Sequence, residues 1–390
     1  MKVAFIDASV TELKKNYLGI ANYCIKRQSS FLAVFVSVDS ASNVVDDMEQ
    51  KAYESITASG YKVVHVRSFN NKVISKWLDA EKPDILFSNA MNTYNQLWNC
   101  LCYKKGIKTL FYPHGFQIDN LYYKTTALLS KVSKILRYMY AILNTSKEIN
   151  QPFLPMLSAY SKYIANGAAM VDTPMDNRLL YPSKVFVYSD YYKEFWHRKY
   201  GITEVDYEYI MPYDFLLVEP VLKKTQENAV CYITQTLYED GRYSKAEFYN
   251  LLLTYRELAK HVEKLYVKLH PRVESTEYDK AFEGLDNVEI IREFPNCKCY
   301  ITHYSSMAYL GKLISGNVII HELPGQPTHE VYAEVASEIA YNMDDVIKAT
   351  TKLMVLPDTP FEERKESISK YATYTGVSPY EVLYKSFCNL

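Results

Sequence analysis

The sequence predicts an α/β protein built from two doubly wound, parallel-sheet domains. Three observations lead there. Short β-rich runs alternate with stretches long enough for a helix, the alternation pauses once near residue 206 and then restarts, and 390 residues with 48% hydrophobic content suffice for two cores of ordinary size.

Taken in order, the first series is KVAFIDA (2–8), FLAVFVSVD (31–39), YKVVHVRS (61–68), DILFSNA (84–90) and KTLFYPHG (108–115), each followed by room for a helix. A long, mostly helical insertion follows over about 121–170, and SKVFVYSDYYKEFWHRKYG (183–201) reads as one more strand and helix, closing a first domain at 1–205. Residues 206–227 contain Pro212 and Pro220 and no clear helical period, the marks of a linker. The second domain, 228–390, opens with NAVCYITQT (228–236) and the helix SKAEFYNLLLTYRELAKHVEK (244–264). LYVKLHP (265–271), NVEIIRE (287–293), CKCYITHYSS (297–306) and NVIIHELPG (317–325) then supply its further strands. Doubly wound sheets bind ligands at the carboxyl ends of their strands, so the two domains are expected to face a cleft.

Composition narrows the function classes. Lys and Arg number 44 against 45 Asp and Glu, so no global charge draws the chain to nucleic acid. The 37 tyrosines suit cores, sugar-binding surfaces and membrane interfaces alike. Seven cysteines show no CxxC spacing; the C-x-C pairs Cys100/Cys102 and Cys297/Cys299 lie on apolar segments, where strand alternation points both members to one face, and they read as buried thiols rather than a metal site. MKVAFIDAS reads directly as a first strand without a secretory signal, and no apolar run reaches 18 residues, so a reduced, cytoplasmic protein is expected.

The polar clusters fall at strand ends. YITQTLYEDGRYS (232–244) places Glu239 and Asp240 before Gly241, where a sheet strand ends and a helix is about to begin: an ordinary acidic turn or a general base. KLHPR puts His270 after an apolar run, with Lys268 and Arg272 adding positive charge; singly it reads as a core or turn histidine. THYSSMAYLGKLIS puts Ser305 and Ser306 at a strand-to-helix transition, as a helix N-cap or, with the free N–H groups there, an anion cradle. Together, an acid, an imidazole and an anion cradle are what a proton-assisted displacement of a phosphate leaving group requires.

In this order, EDG (239–241), HP (270–271) and SS (305–306), with the lead-in YITQTLY carrying Thr234 and Gln235, the chain resembles bacterial sialyltransferases of the GT-B fold, in the branch that includes lipooligosaccharide enzymes. The resemblance covers about 80 residues. It implies an inverting transfer of sialic acid from CMP-sialic acid to a hydroxyl of a surface glycan, lipopolysaccharide or capsule, with no metal or other cofactor. Under it Glu239 is the base, Asp240 shapes the loop and Gly241 lets the backbone turn. His270 assists the leaving phosphate, Ser305 and Ser306 hold it, and Glu293, with Glu322 as competitor, binds the ribose. Thr234 and Gln235 belong to the same nucleotide site. A transferase for Kdo or another nonulosonic acid, a CDP-glycerol glycerophosphotransferase-like enzyme and a non-enzymatic scaffold are the alternatives.

Two N-terminal features complete the reading. YPHGFQIDN ends a strand, so His114, Gly115 and Gln117 are acceptor or sugar contacts or else a structural turn. In residues 122–143, Lys124, Lys131, Lys134 and Arg137 follow one side of a helix, which either lies on the inner face of an anionic membrane as a peripheral contact or packs on the core with its charges solvated.

Overall fold

The computed structural model describes residues 1–38, 47–66, 69–91, 93–113, 115–116, 128–165, 177–200, 205–239, 241–271 and 273–389. Of these, 1–210 and 376–389 form one compact unit and 211–375 a second.

The first unit runs β1 (Lys2–Asp7), α1 (Val10–Arg27), β2 (Leu32–Ser37), α2 (Asp47–Ala58), β3 (Lys62–His65), α3 (Asn71–Glu81), β4 (Ile85–Ser88), α4 (Thr93–Lys104) and β5 (Lys108–Phe111). Helices α5 (Leu128–Ile149) and α6 (Phe153–Ala165) precede β6 (Lys184–Val187), α7 (Asp190–Tyr200) and β7 (Asp206–Tyr209). Its seven strands are all parallel in the order β3-β2-β1-β4-β5-β6-β7. Strands covered on both faces must be apolar throughout, which is why Val3–Ile6 and Ile85–Phe87 carry no polar residue and are buried.

The second unit runs α8 (Val218–Leu222), β8 (Glu227–Ile233), α9 (Lys245–Ala259), β9 (Leu265–Lys268), α10 (Thr276–Phe282), β10 (Val288–Ile291), β11 (Cys297–Thr302), α11 (Met307–Ser315) and β12 (Val318–His321). After α12 (Glu330–Ala333), β13 (Glu338–Ala340), α13 (Met343–Met354) and α14 (Phe361–Ile368), the chain returns to the first unit as α15 (Pro379–Cys388). Six parallel strands stand in the order β10-β9-β8-β11-β12-β13. Val267 and Leu269 enter a core with Leu252, Tyr255 and Leu353, so strand alternation turns Lys268 to the opposite face. Helix α9 starts at a full capping box of Ser244 and Glu247, as a hydroxyl followed by a glutamate three residues on dictates. Helix α11 lies close on β11 because Gly311 faces Tyr300, whose side chain an added Cβ would meet at 3.0 Å. Gly311→Val is therefore expected to cost about 1–3 kcal/mol through overpacking, measured as a lower midpoint in denaturant.

The expected strands are present, and the division differs from expectation at two places. Residues 206–209 are a seventh strand of the first sheet, β7, rather than linker, and 211 onward already belongs to the second unit. The C-terminal segment packs with the first unit: a Cβ at Gly19 of α1 would run into the Tyr380 hydroxyl, Glu381 meets Tyr23 and lies 3.1 Å from Arg27, and the Phe387 ring sits 5.4 Å from that of Phe87. Six cysteines are buried and Cys388 is exposed; Cys100 and Cys102 lie on the helix α4, not on a strand, so the same-face expectation holds only for Cys297 and Cys299. No helix among the described residues is long and apolar enough to cross a membrane. In α5, Tyr138 and Ile142 are buried against Cys100 and Leu180. Lys124 lies outside the described residues, as do the side chains of Lys131 and Lys134.

Candidate functional site

In the second unit the strand order reverses between β8 and β11, the place where doubly wound sheets bind their ligands. From β8 come Thr234 and Gln235, from β9 Lys268 and His270, from β11 Ser305 and Ser306, and from the neighbouring β12 Glu322. Thr234 ties two of these ends together: its backbone N–H donates to the Lys268 carbonyl at 3.0 Å and its Oγ1 accepts from the His270 N–H at 2.9 Å. The Gln235 Oε1 is buried and has no hydrogen-bond partner among the described residues.

Lys268 is buried, and burial pulls its ammonium below the usual lysine range. Its hydrogen bond is to the Leu269 carbonyl, at 3.3 Å, which leaves N–H groups to give. Asp214, on the short helical turn Tyr213–Leu217, opposes that shift and accepts from the Ser306 Oγ at 3.0 Å. The Ser305 Oγ accepts from the Met307 N–H at 3.2 Å, so Ser305, one residue earlier than the N-cap position, supplies the capping hydroxyl for α11. The Ala308 and Tyr309 N–H groups bond the Ser305 and Ser306 carbonyls at 3.0 and 3.1 Å, so the first turn of α11 is capped by these serines, and Lys268 and the Ser305 hydroxyl are the donors left beside the Asp214 carboxylate.

The same unit holds a buried network that sequence reading missed. The His303 Nδ1 faces the His321 carbonyl at 2.7 Å; a carbonyl only accepts, so Nδ1 carries the hydrogen and Nε2 accepts from the Tyr232 hydroxyl at 3.0 Å. The Tyr255 hydroxyl pairs with the His321 Nδ1 at 2.9 Å, and the Tyr232 and Tyr255 rings stack 3.6 Å apart. Burial holds both imidazoles neutral, lowering His303 to about 3 and His321 to about 4.

The remaining expected residues separate. Glu239 is exposed on the turn after β8, which the Gly241 N–H closes on the Tyr238 carbonyl at 2.9 Å with Gly241 at φ +66°. Glu322 sits half-buried at the end of β12 and accepts from the Thr328 N–H at 2.7 Å. Glu293 is not brought to the strand ends: it pairs with Lys224 at 3.3 Å and lies with Glu227, Tyr266 and Asn296 beside the start of β8, because the 292–296 connection turns back toward the beginning of β11. Gly115, in the first unit, has φ +69°, the left-handed backbone that glycine adopts without strain. Asp240, Arg272, His114 and Gln117 lie outside the described residues.

No family model and no curated sequence matches the chain. Solved structures do match in fold. A UDP-GlcNAc 2-epimerase from Methanocaldococcus jannaschii, in complex with UDP-GlcNAc and UDP, is 12% identical with a TM-score of 0.51, covering all of both chains. S. aureus MnaA with UDP is 10% identical with a TM-score of 0.52, over 100% of this chain and 97% of that one, and a glycosyltransferase from Rickettsia africae ESF-5 is 11% identical at 0.50, over 99% and 98%. The chain has the GT-B fold.

This corrects the resemblance to CMP-sialic acid sialyltransferases. The matching structures include UDP-GlcNAc 2-epimerases, one of them holding UDP-GlcNAc and UDP, and no sequence or family match points to a sialyltransferase. The three motifs kept their order because any Rossmann-like domain carries its polar residues at successive strand ends, whatever nucleotide it uses.

Proposed function

We propose that the chain is a glycosyltransferase that uses a nucleoside diphosphate sugar, with uridine diphosphate as the carrier, and transfers the glycosyl group to a hydroxyl acceptor. The carrying observation is the set of groups at the switch point of the second unit: Lys268 with N–H groups to give, the Ser305 hydroxyl at the start of α11, and the Gln235 Oε1 without a partner among the described residues. A buried ammonium and a hydroxyl suit the phosphates. Gln235 suits a ribose hydroxyl or a base N–H, and Glu322 is the carboxylate at hand for ribose. His270, whose N–H bonds Thr234 Oγ1, is the neighbouring candidate for a phosphate contact, and Glu239 is the exposed carboxylate on the turn after β8. The UDP held by S. aureus MnaA and by the M. jannaschii enzyme, proteins of the same fold, supports uridine over cytidine.

UDP is expected to raise the melting temperature of the full chain more than CMP at equal concentration, and to do so in EDTA, because a ligand that binds only the folded state stabilises it with its excess over Kd. A panel of UDP-sugars with glycan acceptors, read by mass spectrometry, tests transfer. A larger shift with CMP, or no shift with any nucleotide, rejects the reading. The epimerases among the matching structures favour a second reading, inversion at C2 of UDP-GlcNAc. Deuterium uptake at C2 in D2O, without loss of UDP from the sugar, identifies it.

A further inference from the structure

The first unit carries a cavity of about 730 Å³ at the amino ends of β1, β4 and β5, the opposite ends from those where doubly wound sheets take their ligands. The end of α3 and the close of α15 complete its walls. Its buried lining is apolar throughout: Leu78, Pro83, Ile85, Ile107 and Phe387. The rest of the lining brings Lys82, Lys105 and Lys108 against Asp79 and Asp84. Lys105 pairs with Asp79 at 2.6 Å, and Asp84 accepts from the Lys2 N–H at 2.7 Å. Lys82 and Lys108 have no side-chain partner among the described residues, so two ammonium groups are left for a ligand. We propose that this cavity binds a phosphomonoester that carries an apolar group.

Size, wall chemistry and charge each fit that class. The volume lies in the range that takes small organic ligands, and apolar walls with a few charged groups are the usual composition of such sites. A phosphomonoester bears close to two negative charges at neutral pH, which two ammonium groups match. Lys82 is held there at a cost: it closes α3 with its N–H on the Leu78 carbonyl at 2.8 Å and φ +48°, left-handed backbone that glycine adopts without strain, and Pro83 restricts it further. Glycine would close the helix as well, so the closure alone does not call for a lysine. Lys108 is set beside Asp84 by its N–H on the Asp84 carbonyl at 3.2 Å, which brings one carboxylate to temper the site. Every lining residue belongs to the first unit, so the proposal does not depend on the nucleotide reading of the second.

Cys388 lines the cavity and is exposed while the other six cysteines are buried, so its alkylation by neutral iodoacetamide, read by mass spectrometry, reports on occupancy. In the full chain, 1-naphthyl phosphate at about 10 mM is expected to slow that alkylation about fivefold or more, and inorganic phosphate less than about twofold, since protection scales with ligand excess over Kd. Lys82→Gln combined with Lys108→Gln should abolish the protection and leave the melting temperature unchanged, because both side chains are exposed. Asp84→Asn keeps an acceptor for the Lys2 N–H, removes the opposing charge and should strengthen the protection. Vesicles of phosphatidate in phosphatidylcholine present the same group on a lipid: stronger protection by them than by the free ester makes a lipid the source, and weaker protection a soluble ester, the site standing in both cases. No protection by either, equal protection by inorganic phosphate, or protection that survives in the double variant overturns the proposal.

Discussion

Lys268→Met is expected to weaken UDP binding about 10- to 10²-fold while leaving the fold at least as stable as before. Hydrogen bonds to a charged group contribute about 1.5–3 kcal/mol each, and losing one from the diphosphate corresponds to that range of affinity. The fold should tolerate the change because the ammonium is buried and already held below its ordinary range by desolvation. Methionine fills nearly the same volume, removes a buried charge and asks for no partner. Ser306 remains to donate to Asp214, so that carboxylate keeps its hydrogen bond. Calorimetric titration with UDP and a thermal melt without it read the two effects separately. Unchanged affinity would remove Lys268 from the site, and a collapsed melting temperature would make it structural.

The second large effect is on acid stability. His303 and His321 are neutral in the folded chain down to about pH 3 and 4, whereas an unfolded chain takes up these protons near 6.5. Their contribution is present above pH 6.5 and is lost as pH falls through the window toward 4, because there the unfolded state binds more protons. Each histidine adds a slope of about 1.4 kcal/mol per pH unit, about 2.7 for the pair. His303→Leu should flatten the decline between pH 6.5 and 4.5 by about half. At pH 8 the same variant should lose about 1–3 kcal/mol, since the Tyr232 hydroxyl is left buried without its acceptor. Melting the full chain at a series of pH values checks both signs; equal slopes in variant and wild type would mean that His303 is protonated in the folded state.

Which parts of this protein could be read from its sequence follows from what each part depends on. Strands such as Val3–Ile6 and Val318–Ile320 are buried on both faces and appear as unbroken apolar runs. The β7 segment DYEY is exposed or half-buried throughout, so it carries no such run, and its place in the sheet is set by pairing with β6. Thr234, His270, Ser305 and Ser306 were legible because strand ends can be counted along the chain. Asp214 was hidden in a supposed linker, and only the fold brings it to Ser306. His303 and His321 each stand in a stretch that reads as a strand end, yet their coupling joins residues 18 apart on different strands, which no local pattern reports. Glu293 failed the other way: its position after β10 resembles a site, and the path of the following five residues carries it to Lys224.

The return of α15 to the first unit inverts the order in which the two halves can be finished as the chain is made. Residues 211–375 are translated before α15, so the second unit can close before the first is complete, although domains are commonly completed from the N terminus. The earlier-made unit has to wait, its Phe5 and Phe87 lacking the Phe387 ring and Gly19 lacking Tyr380 until α15 emerges. A premature stop after residue 375 would therefore injure the opposite end of the polypeptide from the one it removes.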